Sequence, residues 1–373
     1  MIQQLISTIY AEYRLIFRNS GVVLVLIFAP LIYSLLYSSA YAEQVATEIP
    51  VALIDHSHSH SSRELIAELS ASPYIDIRYR PTDMQAAKSL LFDYRIHGII
   101  YIPNDYEKLA LQGNQRWISL YLDASYFLMY RQTLLGVSGD LSSLKSATPS
   151  VALQSHTLFN PSLGYGTFIM PAVLLVILQQ TALMGIGMAE VIGRRRRSAI
   201  SSPIVTLLGK LLVYSTIYAL LCDYIFTIHY HIFGYPQSGE LWSVVVVVAS
   251  YMLCTITLAI ALSRLYRRVE TPLIAIIWSS IPILLLSGAS LPTEAFPRWM
   301  HTIGLLLPSS GAVTAFIRVQ SMGATLAQVM PELCRLWALT AIYAAISIKN
   351  KVPEQQSLPG YPLSHKSDIH TLL

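Results

Sequence analysis

"GRRRRSAISSP", residues 193–203, places four consecutive arginines directly after an almost charge-free apolar run. Such a stretch reads either as a patch for nucleic acid or as the basic anchor at the end of a membrane span. Composition decides between them. The chain has 373 residues, of which 54% are hydrophobic and 12% charged, whereas soluble domains carry about 25% charged residues. Mean hydropathy is +0.51, which places the chain among integral membrane proteins. The formal net charge of +4 is modest. Basic residues gather at the ends of apolar runs rather than on one face of a soluble domain, which argues against a nucleic-acid partner. Cys222, Cys254 and Cys334 lie in or beside apolar runs. They offer neither metal spacing nor a disulfide framework and read as small buried thiols.

Working outward, about 20 apolar residues cross a bilayer as a helix. "GVVLVLIFAPLIYSLLYSSAY", residues 21–41, is the first such segment. It is too long for a signal peptide and lacks the small-residue cleavage pattern. Residues 1–20 precede it, with Leu5, Ile9, Ile16 and Phe17 at helical spacing and Glu12, Arg14 and Arg18 interleaved. They read as an amphipathic helix lying in the membrane interface. Five further apolar segments fall at 166–190, 206–230, 241–263, 271–290 and 331–348, the last with the shortest clean core. The fold class expected is therefore an α-helical polytopic membrane protein of six transmembrane helices, its later spans occupying 161–349 with a tail at 350–373.

Residues 42–160 differ in character. "IPVALID", "YIDIRYR", "IHGIIYIP" and "RWISLYLD" read as strands. Helical patterns alternate with them, capped by Ser61 or Ser62 in one case and by Thr82 in another. This alternation predicts an inserted α/β domain, followed by a longer helix over 126–147. Within it, "HSHSH" (56–60) puts His56, His58 and His60 close enough for two imidazoles to converge on a metal. Their place in a Ser-rich turn before a helix is equally met by a solvated loop, and no metal or other cofactor is assigned.

Lys and Arg collect on the cytoplasmic side of membrane proteins. Arg14 and Arg18 precede span one, Arg194–Arg197 and Lys210 lie between spans two and three, Arg264, Arg267 and Arg268 between four and five, and Lys349 and Lys351 after six. The loop "HIFGYPQSGE" between spans three and four has neither. Both termini are thus expected inside and the α/β domain outside, with Arg298 and Arg318 as exceptions. The arginine run is a topology anchor that also attracts anionic membrane lipid.

Between spans five and six, Pro292, Pro297 and Pro308 interrupt "LPTEAFPRWMHTIGLLLPSSGAV". Phe296, Trp299, Met300, Ile303 and Leu307 share one helical face, so a broken or re-entrant helix at the interface is expected, its irregular backbone shielded by protein or water. Glu294 and Arg298, four apart, can pair. Inside the spans, Asp223 either lines a path or bonds a neighbouring span, and Gln179 and Gln180 either line a conduit or bridge helices. Gly209-Lys210 lacks the rest of a nucleotide-binding loop, and no catalytic set can be argued from spacing.

The order of parts resembles an ABC-2 type transporter permease of the subgroup with a large external domain between spans one and two. "LLLSGASLPTEAFPRWMHTIGLLLPSSGAVTAFIRVQSMG" (284–323) carries the most specific likeness, through Ser287, Gly288, Pro292, Glu294, Pro297, Trp299, Pro308, Arg318 and Gly323. "VALIDHSHSHSSRELIAELSASPYIDI" and "LFNPSLGYGTFIMPA" are similar to the family's domain start and its entry to span two. The loop after span two departs from the family's acidic pattern: here only Glu190 precedes Arg194, Arg195, Arg196 and Arg197.

The resemblance implies half a translocator in a bacterial inner membrane, exporting rather than importing. It implies a second permease subunit, identical or related, and separate cytosolic ATPase subunits docking on the loop at 190–205 and on the amino-terminal helix, with ATP hydrolysed on those chains. A periplasmic adaptor is compatible with it. Two other readings stay open from the residues alone: a membrane-anchored receptor or scaffold, and an ion-coupled secondary transporter using Asp223.

Overall fold

A computed structural model describes residues 1–42, 48–93, 95–112, 117–122, 133–134, 137, 165–194, 202–288 and 296–349. Helix α1 (Ile2–Phe17) leads into α2 (Ser20–Ala40), whose ladder passes through a π-helical stretch at Leu24–Phe28. After the α/β unit come α6 (Tyr165–Arg194), α7 (Pro203–Ile232) and α8 (Leu241–Ser263). The bundle is completed by α9 (Thr271–Leu286), α10 (Arg298–Leu305), α11 (Pro308–Gln320) and α12 (Met330–Lys349), the last entered through a 3₁₀ turn at Leu326–Val329.

Among the described residues, five helical stretches are long and apolar enough to cross a membrane: Ser20–Ala40, Tyr165–Arg194, Pro203–Ile232, Leu241–Ser263 and Leu326–Ile348. They match expected spans one to four and six. The fifth is represented by α9, whose 16 residues reach about 24 Å at 1.5 Å per residue. That is short of the ~30 Å hydrocarbon layer. The chain is a mostly helical, multi-pass membrane protein. Its central helices α6 and α8 are buried along most of their length and share one core with α7, α11 and α12.

The interruption before span six is a bent pair. Helices α10 and α11 meet at 86°, with Pro308 opening α11 where its missing N–H costs nothing. The broken or re-entrant helix expected between spans five and six takes this bent form. Its second limb, with Ala312, Val313, Phe316 and Val319 buried, is the part whose bounds sequence reading does not give.

Between α2 and α6 lies a four-stranded sheet of order β2-β1-β3-β4, formed by β1 (Ile49–Asp55), β2 (Ile75–Tyr79), β3 (Gly98–Ile102) and β4 (Ser119–Leu122). β1 is parallel to both β2 and β3, and β4 antiparallel to β3. Helices α3 (His60–Ser70), α4 (Met84–Phe92) and α5 (Tyr106–Leu111) follow the first three strands. Alternate residues of β1 face opposite ways: Val51 and Leu53 pack with Leu65 and Leu69, Ala52 and Ile54 with Ala87 and Ile99.

Two expected caps shift by one to three residues. Ser59 caps α3, in a reciprocal box with Ser62, because Asp55 gathers the turn by accepting from the Ser57 and His58 amides and the Ser62 hydroxyl. Asp83, not Thr82, caps α4 by accepting from the Ala86 amide at 2.7 Å. Its carboxylate sits directly before the first helical residue and meets the dipole favourably. Of the helix expected over 126–147, only Thr133, Leu134 and Val137 are described, all helical.

Candidate functional site

Charged side chains gather at one end of the bundle. There α1, the last turns of α6, α8 and α12, and the first turns of α7 enclose a cavity of about 730 Å³. Its described lining holds five basic residues, Arg14, Arg18, Arg194, Lys210 and Arg264, against two acids, Glu12 and Glu190.

Helix α1 forms one wall. Leu5, Thr8, Ile9, Glu12, Leu15 and Ile16 recur every three or four positions and turn inward. Ile2, Ile6, Tyr10 and Phe17 make a second stripe that remains exposed and suits a membrane interface. The expected stripe thus differs in two members: Phe17 faces out, and Glu12 lies on the packed face. α1 crosses α7 at Gly209, where a β-carbon would stand 2.8 Å from Thr8 Cγ2. A glycine is needed for so close an approach.

Glu12 is buried and accepts a 2.6 Å hydrogen bond from the Tyr214 hydroxyl on α7. One helical turn away, Lys210 forms an ion pair with Glu190 of α6. The two residues are 2% and 3% exposed. Desolvating two charges costs several kcal/mol each, recovered only by close pairing. This pair therefore ties α6 to α7 in one geometry. Arg194 reaches the end of α8, donating to the carbonyls of Ser263 at 2.8 Å and Tyr266 at 3.0 Å, so it caps carbonyls that lack intrahelical partners. Arg264 donates likewise to the Ser347 carbonyl of α12. Five helices, α1, α6, α7, α8 and α12, are thus linked to one another through charged side chains.

The remaining expected site residues are distributed elsewhere. Arg195, Arg196, Arg197, Pro292 and Glu294 lie outside the described residues. Pro297 precedes α10; Arg298 and Trp299 open it, both exposed. Gln179 is fully buried and accepts from the Tyr251 hydroxyl at 3.3 Å; Gln180 donates to the Ser280 carbonyl of α9, also at 3.3 Å. Asp223 is exposed on α7, immediately before a π-helical stretch at Tyr224–His229, and its described partner is Thr227, 3.4 Å away on the next turn.

Sequence reasoning missed four polar groups. From sequence, Tyr214 reads only as part of a span and Lys210 as its basic anchor. His229, buried on α7, stands 2.8 Å from the Ser38 hydroxyl of α2. Arg335 lies inside α12 and donates to Ser310 of α11. A lone charge in an apolar run, as at Lys210 and Arg335, is the signal that was available.

A bundle of apolar helices with its charges drawn to the helix ends defines a multi-pass α-helical membrane protein. Residues 20–349 match the family model described as ABC-2 family transporter protein, and the chain belongs to that family. It is similar to the Inner membrane transport permease YhhJ of Escherichia coli (strain K12), at 21% identity over 337 residues, covering 84% of this chain and 87% of the relative. The Shigella flexneri protein of the same name matches equally.

Proposed function

We propose that this chain is the permease subunit of an ABC-type exporter of a bacterial inner membrane. Six spans, counting α9 as the fifth, form half of a translocator, and a second permease subunit completes it. The charged end faces the cytoplasm with both termini, and the sheet unit lies outside. Separate cytosolic ATPase subunits dock on α1 and on the loop at 190–205, and hydrolyse the ATP.

The observation that carries this reading is the linkage of α1, α6, α7 and α8 by Glu12–Tyr214, Glu190–Lys210 and Arg194. A push on α1 or on the arginine loop is passed to three spans at once, since close-packed and ion-paired helices move as units. Exposed Asp223 supports a second subunit, because a carboxylate at membrane depth requires protein or water beside it. An ion-coupled transporter would also use it, and transport by an Asp223→Asn variant separates the two. The reading is tested by purifying the full chain with its candidate ATPase and measuring ATP-dependent export from membrane vesicles. Stable isolation without an ATPase, together with transport that ignores ATP, would reject it.

A further inference from the structure

The cavity at the charged end of the bundle has a volume of about 730 Å³, within the ~300–1,000 Å³ of small-ligand pockets. Most of the charged groups around it have partners. Lys210 is paired with Glu190, and Glu12 holds the Tyr214 hydroxyl. Arg194 and Arg264 donate to neutral carbonyls, which occupies N–H groups and leaves the charge. Arg14 and Arg18 differ. Both line the cavity, both are exposed, and neither side chain has a partner among the described residues.

The five cations and two acids of the described lining leave a surplus of three positive charges. Arg14 and Arg18 stand four residues apart on one helix, where like charges repel. A cation suits the negative end of α1, but that gives no reason for two of them to line one cavity. An anion between them removes the repulsion. A guanidinium presents its N–H donors in a planar fork that matches two oxygens of a phosphate.

The rim of the cavity narrows the source of that phosphate. Tyr10 belongs both to the lining and to the exposed apolar stripe of α1, with Ile2, Ile6 and Phe17. On the α7 side, Pro203 and Thr206 line the cavity, while Ile204 and Leu208 of the same turns are exposed. The cationic wall is therefore bordered by apolar surface on two helices. A soluble phosphate ester has no use for that surface, and an amphiphile does.

We propose that Arg14 and Arg18 bind the phosphate of an anionic phospholipid at the mouth of this cavity, with its acyl chains on the exposed apolar faces of α1 and α7. The competing occupant is an acidic segment of an ATPase, which the apolar rim does not favour. The site stands independently of the transport reading, since its occupancy is measurable with no ATPase present.

The test uses the full chain in an uncharged maltoside detergent. Native mass spectrometry compares retention of phosphatidylglycerol with that of phosphatidylcholine carrying the same acyl chains. The wild type is expected to retain phosphatidylglycerol about tenfold better, as for charge-assisted bonds to an anion. Arg14→Gln/Arg18→Gln is expected to lose that preference. Arg267→Gln/Arg268→Gln removes the same charge from two exposed residues outside the cavity lining and is expected to keep it. Arg18→Glu, which sets an acid against the phosphate, is expected to lose it and decides the matter if the double variant does not fold. Equal retention of the two lipids by the wild type, an undiminished preference in Arg14→Gln/Arg18→Gln or Arg18→Glu, or the same loss in both double variants would overturn the proposal. So would thermal stabilisation by glycerophosphoglycerol, the head group without chains, equal to that by the lipid. A preference kept in Arg14→Gln/Arg18→Gln while ATPase pull-down is lost would give the two arginines to ATPase docking instead.

Discussion

The Tyr214 hydroxyl donates a 2.6 Å hydrogen bond to Oε1 of Glu12, joining the amino-terminal helix to the third span across 202 residues of chain. The acceptor is a buried carboxylate, so the bond is charge-assisted and worth about 1.5–3 kcal/mol. Tyr214→Phe keeps the ring and removes the donor. The expected outcome is a protein that assembles with its ATPase but loses most ATP-driven transport, because α1 no longer moves α7. Equal transport per assembled complex would show the bond to be structural only.

The buried ion pair makes a different prediction. Lys210→Met leaves Glu190 charged and unpaired, at a cost of about 3–5 kcal/mol. Adding Glu190→Leu removes the orphaned charge and is expected to restore most of the lost stability. Thermal unfolding of the two single variants and the double variant in detergent measures the coupling. A double variant no more stable than Lys210→Met would argue that the pair does not carry the α6–α7 contact.

Five of the spans and the α/β alternation were legible because each has a local period: some twenty apolar residues, or strands separated by helical patterns. The charged network was not. Glu12 and Tyr214 carry no mark of each other, and Glu190 and Lys210 stand on opposite sides of the arginine loop. Pairing of this kind is set by helix packing, which no single segment encodes. Arg335 was passed over for the reverse reason. It shortens the clean apolar core of the last span, and that weakness was itself the sign of a buried charge. In "HSHSHSS" several serines are locally equivalent as caps; the hydrogen bonds to Asp55 select Ser59.

The arginine run divides by role. Arg194 is committed to the Ser263 and Tyr266 carbonyls, so Arg194→Gln alone is expected to lower stability by about 1–3 kcal/mol. Replacing Arg195, Arg196 and Arg197 by glutamine is expected to leave unfolding unchanged while weakening ATPase association. Unfolding scans and pull-down, run on the same preparations, separate the two. Unchanged pull-down for the triple variant would leave these arginines as topology anchors.

Topology is tested by labelling. With Cys222, Cys254 and Cys334 replaced by alanine, a cysteine at Ser59 in the sheet unit should react with an impermeant reagent in cells with a permeabilised outer membrane. One at Ser198 should stay protected. The opposite pattern would invert every assignment of sidedness made for the bundle.

The last prediction concerns the bent pair. Trp299 and Ile303 lie one turn apart on α10 and are 65% and 47% exposed, an apolar stripe on a helix bent by 86° from the next. Such a stripe suits the membrane interface, where the indole sits at head-group level. If α10 lies across the outer mouth, its anchoring sets how readily the mouth opens. Trp299→Ala is therefore expected to reduce cargo release in proteoliposomes severalfold, with ATPase pull-down unchanged. Glu294→Ala, which removes the acidic residue nearest before α10 in sequence, is expected to act in the same direction. Trp299 is exposed, so truncating it leaves no core cavity, and a general loss of stability would not account for the defect. Unfolding temperatures measured beside transport check that point. Full transport by both variants would reduce α10 to a surface cap and place the gate elsewhere.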